Sequence, residues 1–191
     1  MYTRHWIKKR YMVTMSNTVA EVKVLNGSPN ASQHRYGERL FSATSAGVFF
    51  VLVGIIFALT PDLFGAILAF FRDFDIVKVP NMKIVYFPAP AVPGTHSVLY
   101  SAVIKFSLIW GLFQIVILAL RFIVASHYSK KAETASNIVL WLGTSYLISE
   151  FLNETTTLTT WFAFWGVFIM LIGASLIIRA IILAVQTWHL R

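Results

Sequence analysis

WFAFWGVFIMLIGASLIIRAIILAV, residues Trp161–Val185, decides how the rest of the chain must be read. It holds one ionisable side chain, Arg179, near its far end. About 20 consecutive apolar residues suffice for a helix to cross a hydrocarbon core of ~30 Å, so the segment predicts a membrane span. Three further runs share the pattern: about Leu40–Thr60, Val98–Ala125 and Thr134–Leu152. The chain therefore reads as an all-α membrane protein, a four-helix transmembrane bundle, with lipid as its solvent.

Composition agrees. The hydrophobic fraction is 57% and the charged fraction 13%, where a soluble domain has about 45–50% and about 25%. Four spans in 191 residues leave no room for a separate soluble core. We expect residues 1–39 to form a basic cytoplasmic N-terminal tail and residues 40–191 a single transmembrane domain, with an outer loop at 61–97. The net charge of +8 does not point to nucleic acid, because most Lys and Arg flank the apolar runs. With no cysteine in the chain, disulfides, thiolate ligands and thiol nucleophiles are all excluded.

The tail interleaves bases and aromatics at Tyr2, Arg4, His5, Trp6, Lys8, Lys9, Arg10 and Tyr11. That pattern suits anionic headgroups; an unstructured basic tail, or a true start at Met12 or Met15, is the competing reading. Asn26-Gly27-Ser28-Pro29-Asn30 is a turn-rich break. Past the first run, Thr60-Pro61-Asp62 reads as a helix start, with Thr as cap and Pro at the first helical position. Leu63–Phe74 is apolar but too short to cross, so we expect an interfacial or dipping helix. Ile76–Phe87 is β-prone and predicts a short hairpin hinged at Pro80-Asn81, followed by an extended Pro88–Gly94.

Bases set the orientation. Arg4, Lys8, Lys9, Arg10, Lys23, Arg35 and Arg39 precede the first run; Arg121, Lys130 and Lys131 lie between the second and third; Arg179 and Arg191 end the fourth. The other side has only Arg72, Lys78 and Lys83. The positive-inside rule then places both termini in the cytoplasm of a multi-pass cell-membrane protein. Trp161, Trp165 and Trp188 stand at span ends, where interfacial aromatics belong.

Lipid is as apolar as Leu, so only small and polar residues mark helix contacts. Stripes at helical spacing are Ala43, Gly47, Gly54 and Ala58; Ser107, Gly111, Gln114 and Arg121; Ser136, Gly143 and Glu150; and Ala163, Gly166, Met170 and Gly173. We expect Gly47, Gly54, Gly111, Gln114, Gly143, Gly166 and Gly173 to pack helices, within the chain or against a second protein. Gly47-Val48-Phe49 with Leu52 and Gly54 recurs as Gly166-Val167-Phe168 with Leu171 and Gly173; chance among common membrane residues is the preferred reading, and an inverted duplication of the transporter kind is the alternative.

Charges inside spans cost about 2.5–3.5 kcal/mol at mid-bilayer. Arg121 and Arg179 lie at span ends, where they can snorkel. Lys105 and Glu150 lie deeper, and their side chains lean towards a common level. They form a candidate intramembrane polar pair, with a snorkelling Lys105 as the alternative. His5, His34, His96, His127 and His189 are scattered, so no metal or haem site is expected in the spans. Asp62, Asp73 and Asp75 with His96 could gather round a cation on the outer face, though loop carboxylates are usually just solvated. Asn153-Glu154-Thr155 is an acceptor sequon on that side. No phosphate loop, dinucleotide fingerprint or nucleophile elbow is present. We expect no cofactor and no enzymatic activity.

The phrases Glu38–Ser45, Lys130–Asn137, Leu152–Thr157 and Arg179–Ala184 together resemble an uncharacterised family of archaeal integral membrane proteins, over roughly residues 37–185. The resemblance implies a prokaryotic cell membrane and carries over no catalytic residue. The function expected from the residues is that of an accessory or structural subunit, working beside other membrane subunits or as a homo-oligomer. An oligomeric channel or transporter, lined by Gln114, Glu150 and Lys105, is the alternative.

Overall fold

The computed structural model describes residues 29–80, 82–124 and 128–189. The basic-aromatic tail and Asn26–Ser28 lie outside the described residues. The chain divides into two compact units, Met1–Thr44 and Ser45–Arg191. The described residues form five helices: α1 (Pro29–Leu59), α2 (Leu63–Arg72), α3 (Ser97–Ile123), α4 (Tyr128–Phe151) and α5 (Leu158–His189). Strands β1 (Phe74–Lys78) and β2 (Tyr86–Pro90) lie between α2 and a 3-10 turn, Pro93–His96, that leads into α3.

Helix α1 begins at Pro29, well before the apolar run at Leu40. A proline is tolerated in a first helical turn because the amides there have no intrahelical acceptor. Helix-compatible polar residues before Leu40 extend the helix beyond its apolar run. Helix α5 likewise outruns its apolar segment at both ends.

Among the described residues, two helical segments are long and apolar enough to cross a membrane, Pro93–Ile123 and Leu158–Val185. A third qualifies if Ala43–Leu59 and Leu63–Arg72 are taken together, bent by 91° at their junction. The hinge is Asp62, the one non-glycine residue with positive φ (49°) among the described residues. Pro61 therefore precedes the helix rather than opening it. Asp62 makes no side-chain cap, but its carbonyl accepts from Ala66 N at 2.9 Å. Its carboxylate lies over Gly65, where a Cβ would collide with it. Helix α2 thus leaves α1 at a right angle, as an interfacial or re-entrant element should.

Helix α4 is the departure from the sequence expectation. It starts at Tyr128, and Asn137, Glu150 and its Ser and Thr residues dilute even the run Thr134–Phe151, so it is not apolar enough to count with the other spans. It packs between α3 and α5 instead, and spends its hydroxyls on them. Ser145 Oγ donates to Ile104 O of α3 at 3.2 Å, and Ser136 Oγ to Ser175 O of α5 at 2.8 Å. Thr144 and Ser149 return to their own helix at Leu140 O (2.6 Å) and Tyr146 O (2.7 Å). On the other flank of α3, Leu52 and Ile56 of α1 pack with Ala102 and Trp110. Phe49 meets Phe106 and Trp110 edge-on, at 5.5 and 5.4 Å.

A hairpin forms, but its second strand is shifted: Ile84 and Val85 precede it, and it takes in Pro88–Pro90 from the stretch expected to run extended. β1 and β2 are antiparallel, with Phe74 opposite Pro90 and Lys78 opposite Tyr86. Two prolines fit β2 because a two-stranded ribbon leaves half of each strand's backbone groups unpaired.

Candidate functional site

The densest chemistry lies where α2, the hairpin and α3 meet. Ala89, Tyr100, Leu147, Ile148, Leu152, Trp161 and Phe164 form a buried cluster, with Phe70 and Val77 against it. Over this apolar floor the loops tie a polar knot. His96 Nε2 donates to Asp73 Oδ2 at 2.9 Å, and Val92 N donates to the same oxygen at 3.0 Å. The main-chain oxygen of Asp73 takes Ala91 N at 2.8 Å. One residue thus joins the end of α2, the end of β2 and the start of α3.

The His96 side chain is 6% exposed and that of Asp73 25%. Phe70 stands edge-on to the imidazole at 5.1 Å. The hydrogen bond from His96, and then that from Val92 N–H, hold the Asp73 carboxyl below its ordinary value. An ionised carboxylate only accepts, so the shared proton belongs on Nε2. Tyr100 OH donates to Pro93 O at 2.8 Å and closes the turn from inside.

The α4–α5 loop seals the edge. Asn153 N donates to Thr156 Oγ1 at 2.7 Å, and Asn153 Oδ1 takes Thr155 N at 2.9 Å and Thr155 Oγ1 at 2.6 Å. A Cβ on Gly94 would come within 2.5 Å of Glu154 O. Glycine is what lets the 3-10 turn seat against this loop.

Of the four residues weighed for a cation, the fold brings together only Asp73 and His96. Asp62 stays at the α2 hinge, and Asp75 accepts from Ile76 N at 2.7 Å. No group of three or more potential metal ligands occurs among the described residues. The Asp73–His96 bond fastens the end of α2 to the start of α3.

Lys105 and Glu150 are not a pair. Both are exposed, and the ion pairs among the described residues are His96–Asp73 and Lys130–Glu133. Lys105 lies on the side of α3 opposite buried Ser107 and Gly111, away from α4, which leaves it free to snorkel.

The small-residue stripes divide. Gly111 would press a Cβ to 2.5 Å from Leu142, and Gly143 to 2.6 Å from Leu171, so both sit at helix contacts. Gln114 is buried on the same face of α3. Among the described residues nothing lies within 4 Å of a Cβ at Gly47, Gly54, Gly166 or Gly173, so a contact within the chain is not made there. Trp161, at 4% exposure, belongs to the buried cluster, while Trp165 is 44% exposed.

Sequence reasoning missed Gly94, and it weighed Asp73 with His96 and placed Arg121 on a contact stripe without finding the bonds they make. Gly94 carries no stripe, and its role depends on a loop distant in sequence. The Asp73–His96 bond spans the whole hairpin. Arg121, read as an anchor, donates to Lys130 O at 2.5 Å and Thr134 Oγ1 at 2.7 Å, and so also fastens α3 to α4. Its position one turn before the α3 end was the available signal. No family model, curated protein or solved structure matches the chain.

Proposed function

We propose that the protein is a non-catalytic accessory or structural subunit of a larger membrane assembly. It crosses a prokaryotic cell membrane four times, with both termini cytoplasmic. Helix α4 is the fourth span: its polar side chains are tolerable in lipid because α3 and α5 shelter them and accept their hydrogen bonds. The base distribution supports the orientation.

The observation that carries the reading is the contrast between filled and open glycines. Gly111 and Gly143 receive leucines from a neighbouring helix, while Gly47 and Gly54 on α1 and Gly166 and Gly173 on α5 meet nothing. A membrane helix gains from a glycine notch when another backbone comes close. The open notches lie beside exposed Phe50, Val51, Ile169 and Met170, on helices that flank the packed α3–α4 pair. The asymmetry supports contact faces that another subunit completes.

Purification of the tagged chain in native lipid, followed by mass spectrometry, tests this. We expect stoichiometric partner subunits, which Gly47→Leu/Gly54→Leu or Gly166→Leu/Gly173→Leu releases without lowering the thermal stability of the isolated chain. A chain that purifies alone overturns the reading. A homo-oligomer that conducts a solute in liposomes replaces it with the channel or transporter.

A further inference from the structure

We propose that the tip of the β1–β2 hairpin is a binding site for the phosphate headgroup of an anionic lipid, which holds the hairpin against the leaflet it faces. The site is independent of the α1 and α5 faces, so either proposal can fail alone.

Lys78 closes β1 and Lys83 follows the turn; both are exposed and neither forms an ion pair among the described residues. They line one open cleft of about 440 Å³ with Val79, Pro80 and Met82. Two ammonium groups on one cleft repel each other unless an anion lies between them. The nearest acidic residue on the hairpin is Asp75, which falls on the other face of β1 and accepts from Ile76 N. The tip is therefore locally cationic.

A soluble anion would not explain the surroundings. Ile76 is 73% exposed and Ile84 85%, beside exposed Met82. Aliphatic side chains round a cationic cleft match the boundary of acyl chains and phosphates. Tyr86, opposite Lys78 in the register and also exposed, is the residue type that settles at headgroup level.

Position agrees with chemistry. Helix α2 leaves the Ala43–Leu59 segment at 91°, so it lies along the membrane surface when α1 crosses. Its exposed Phe64, Leu68 and Phe71 then lie at the interface. The hairpin continues from α2 after a single residue and is pinned at its base by the Asp73 knot. Five paired residues carry its tip roughly 17 Å from that base, within reach of the same leaflet.

The chain has no cysteine, so Ile84→Cys takes a single bimane label in the full-length protein. The labelled chain is placed in nanodiscs of brominated phosphatidylcholine, with or without phosphatidylglycerol. We expect stronger quenching with the anionic lipid. Lys78→Gln/Lys83→Gln should reduce this preference by roughly five-fold per lysine, and Lys78→Arg/Lys83→Arg should keep it. Inorganic phosphate added to pure phosphatidylcholine discs should not increase quenching. Equal quenching in both lipids, or a preference that survives Lys78→Gln/Lys83→Gln, overturns the site. Persistent access of aqueous iodide to the label overturns it as well. If phosphate alone protects the label from iodide, the lipid is the wrong ligand.

Discussion

At the scale of single residues, the account rests on Gly94 and Asp73. Gly94→Ala drives a Cβ into the Glu154 carbonyl, which is main chain and cannot rotate away. We expect a loss of about 1–3 kcal/mol, read as a lower Tm in detergent. Gly54→Ala, with open space, should change Tm little. Asp73 predicts a pH dependence. Its folded pKa is lowered from 3.8, so its contribution is complete above that value and is lost as pH falls through the lower folded value. Tm should therefore drop on acidification below about pH 4, and Asp73→Asn should start lower and flatten that drop. A wild-type profile unchanged by Asp73→Asn contradicts the knot. The sequence placed Asp73 with His96 only as part of a possible cation cluster of three loop carboxylates, and Gly94 was one more loop glycine. Their partners lie across a hairpin and a helix pair, and spacing along the chain does not encode such contacts.

At the scale of elements, α4 separates what the sequence shows from what it hides. The apolar run Thr134–Leu152 was plain, but its amphipathic amino end and its serine bonds depend on the neighbouring helices. Ser136 and Ser145 donate across helix boundaries, and such bonds in membranes are worth about 0.6 kcal/mol on average. Ser136→Ala and Ser145→Ala should each lower stability by about that amount, additively, because they face different helices. Ser107 is the control: its Oγ is buried with no partner. Ser107→Ala should be neutral or stabilising by about 1 kcal/mol. Unfolding in mixed detergents ranks the three, and Ser107→Ala as the most damaging overturns this reading of the α3–α4 contact. The first strand was readable because Ile76 and Val77 state their preference locally; the second was not, because it runs over Tyr86–Pro90 and leaves out Ile84 and Val85. The glycine spacing on α1 and α5 was readable too. Which of those notches a neighbour fills was not, because lipid, a second helix and a partner subunit place the same demand on apolar sequence.

At the scale of the whole molecule, the central claim is that α4 crosses the membrane between α3 and α5. The cap built by α2, the hairpin and the α4–α5 loop then lies on one side, with the Arg121–Lys130 corner on the other. Apolar length alone supports two spans, or three with the bent pair, so α4 decides the topology. Cells expressing single cysteines at Ala91, Ser129 or Thr157, in a chain with none of its own, can be treated with a membrane-impermeant thiol reagent. The account predicts labelling at Ala91 and Thr157 in intact cells, and at Ser129 only after the membrane is opened. Labelling of Ser129 and Thr157 from the same side would show that α4 does not cross, and would contradict the four-span protein proposed here.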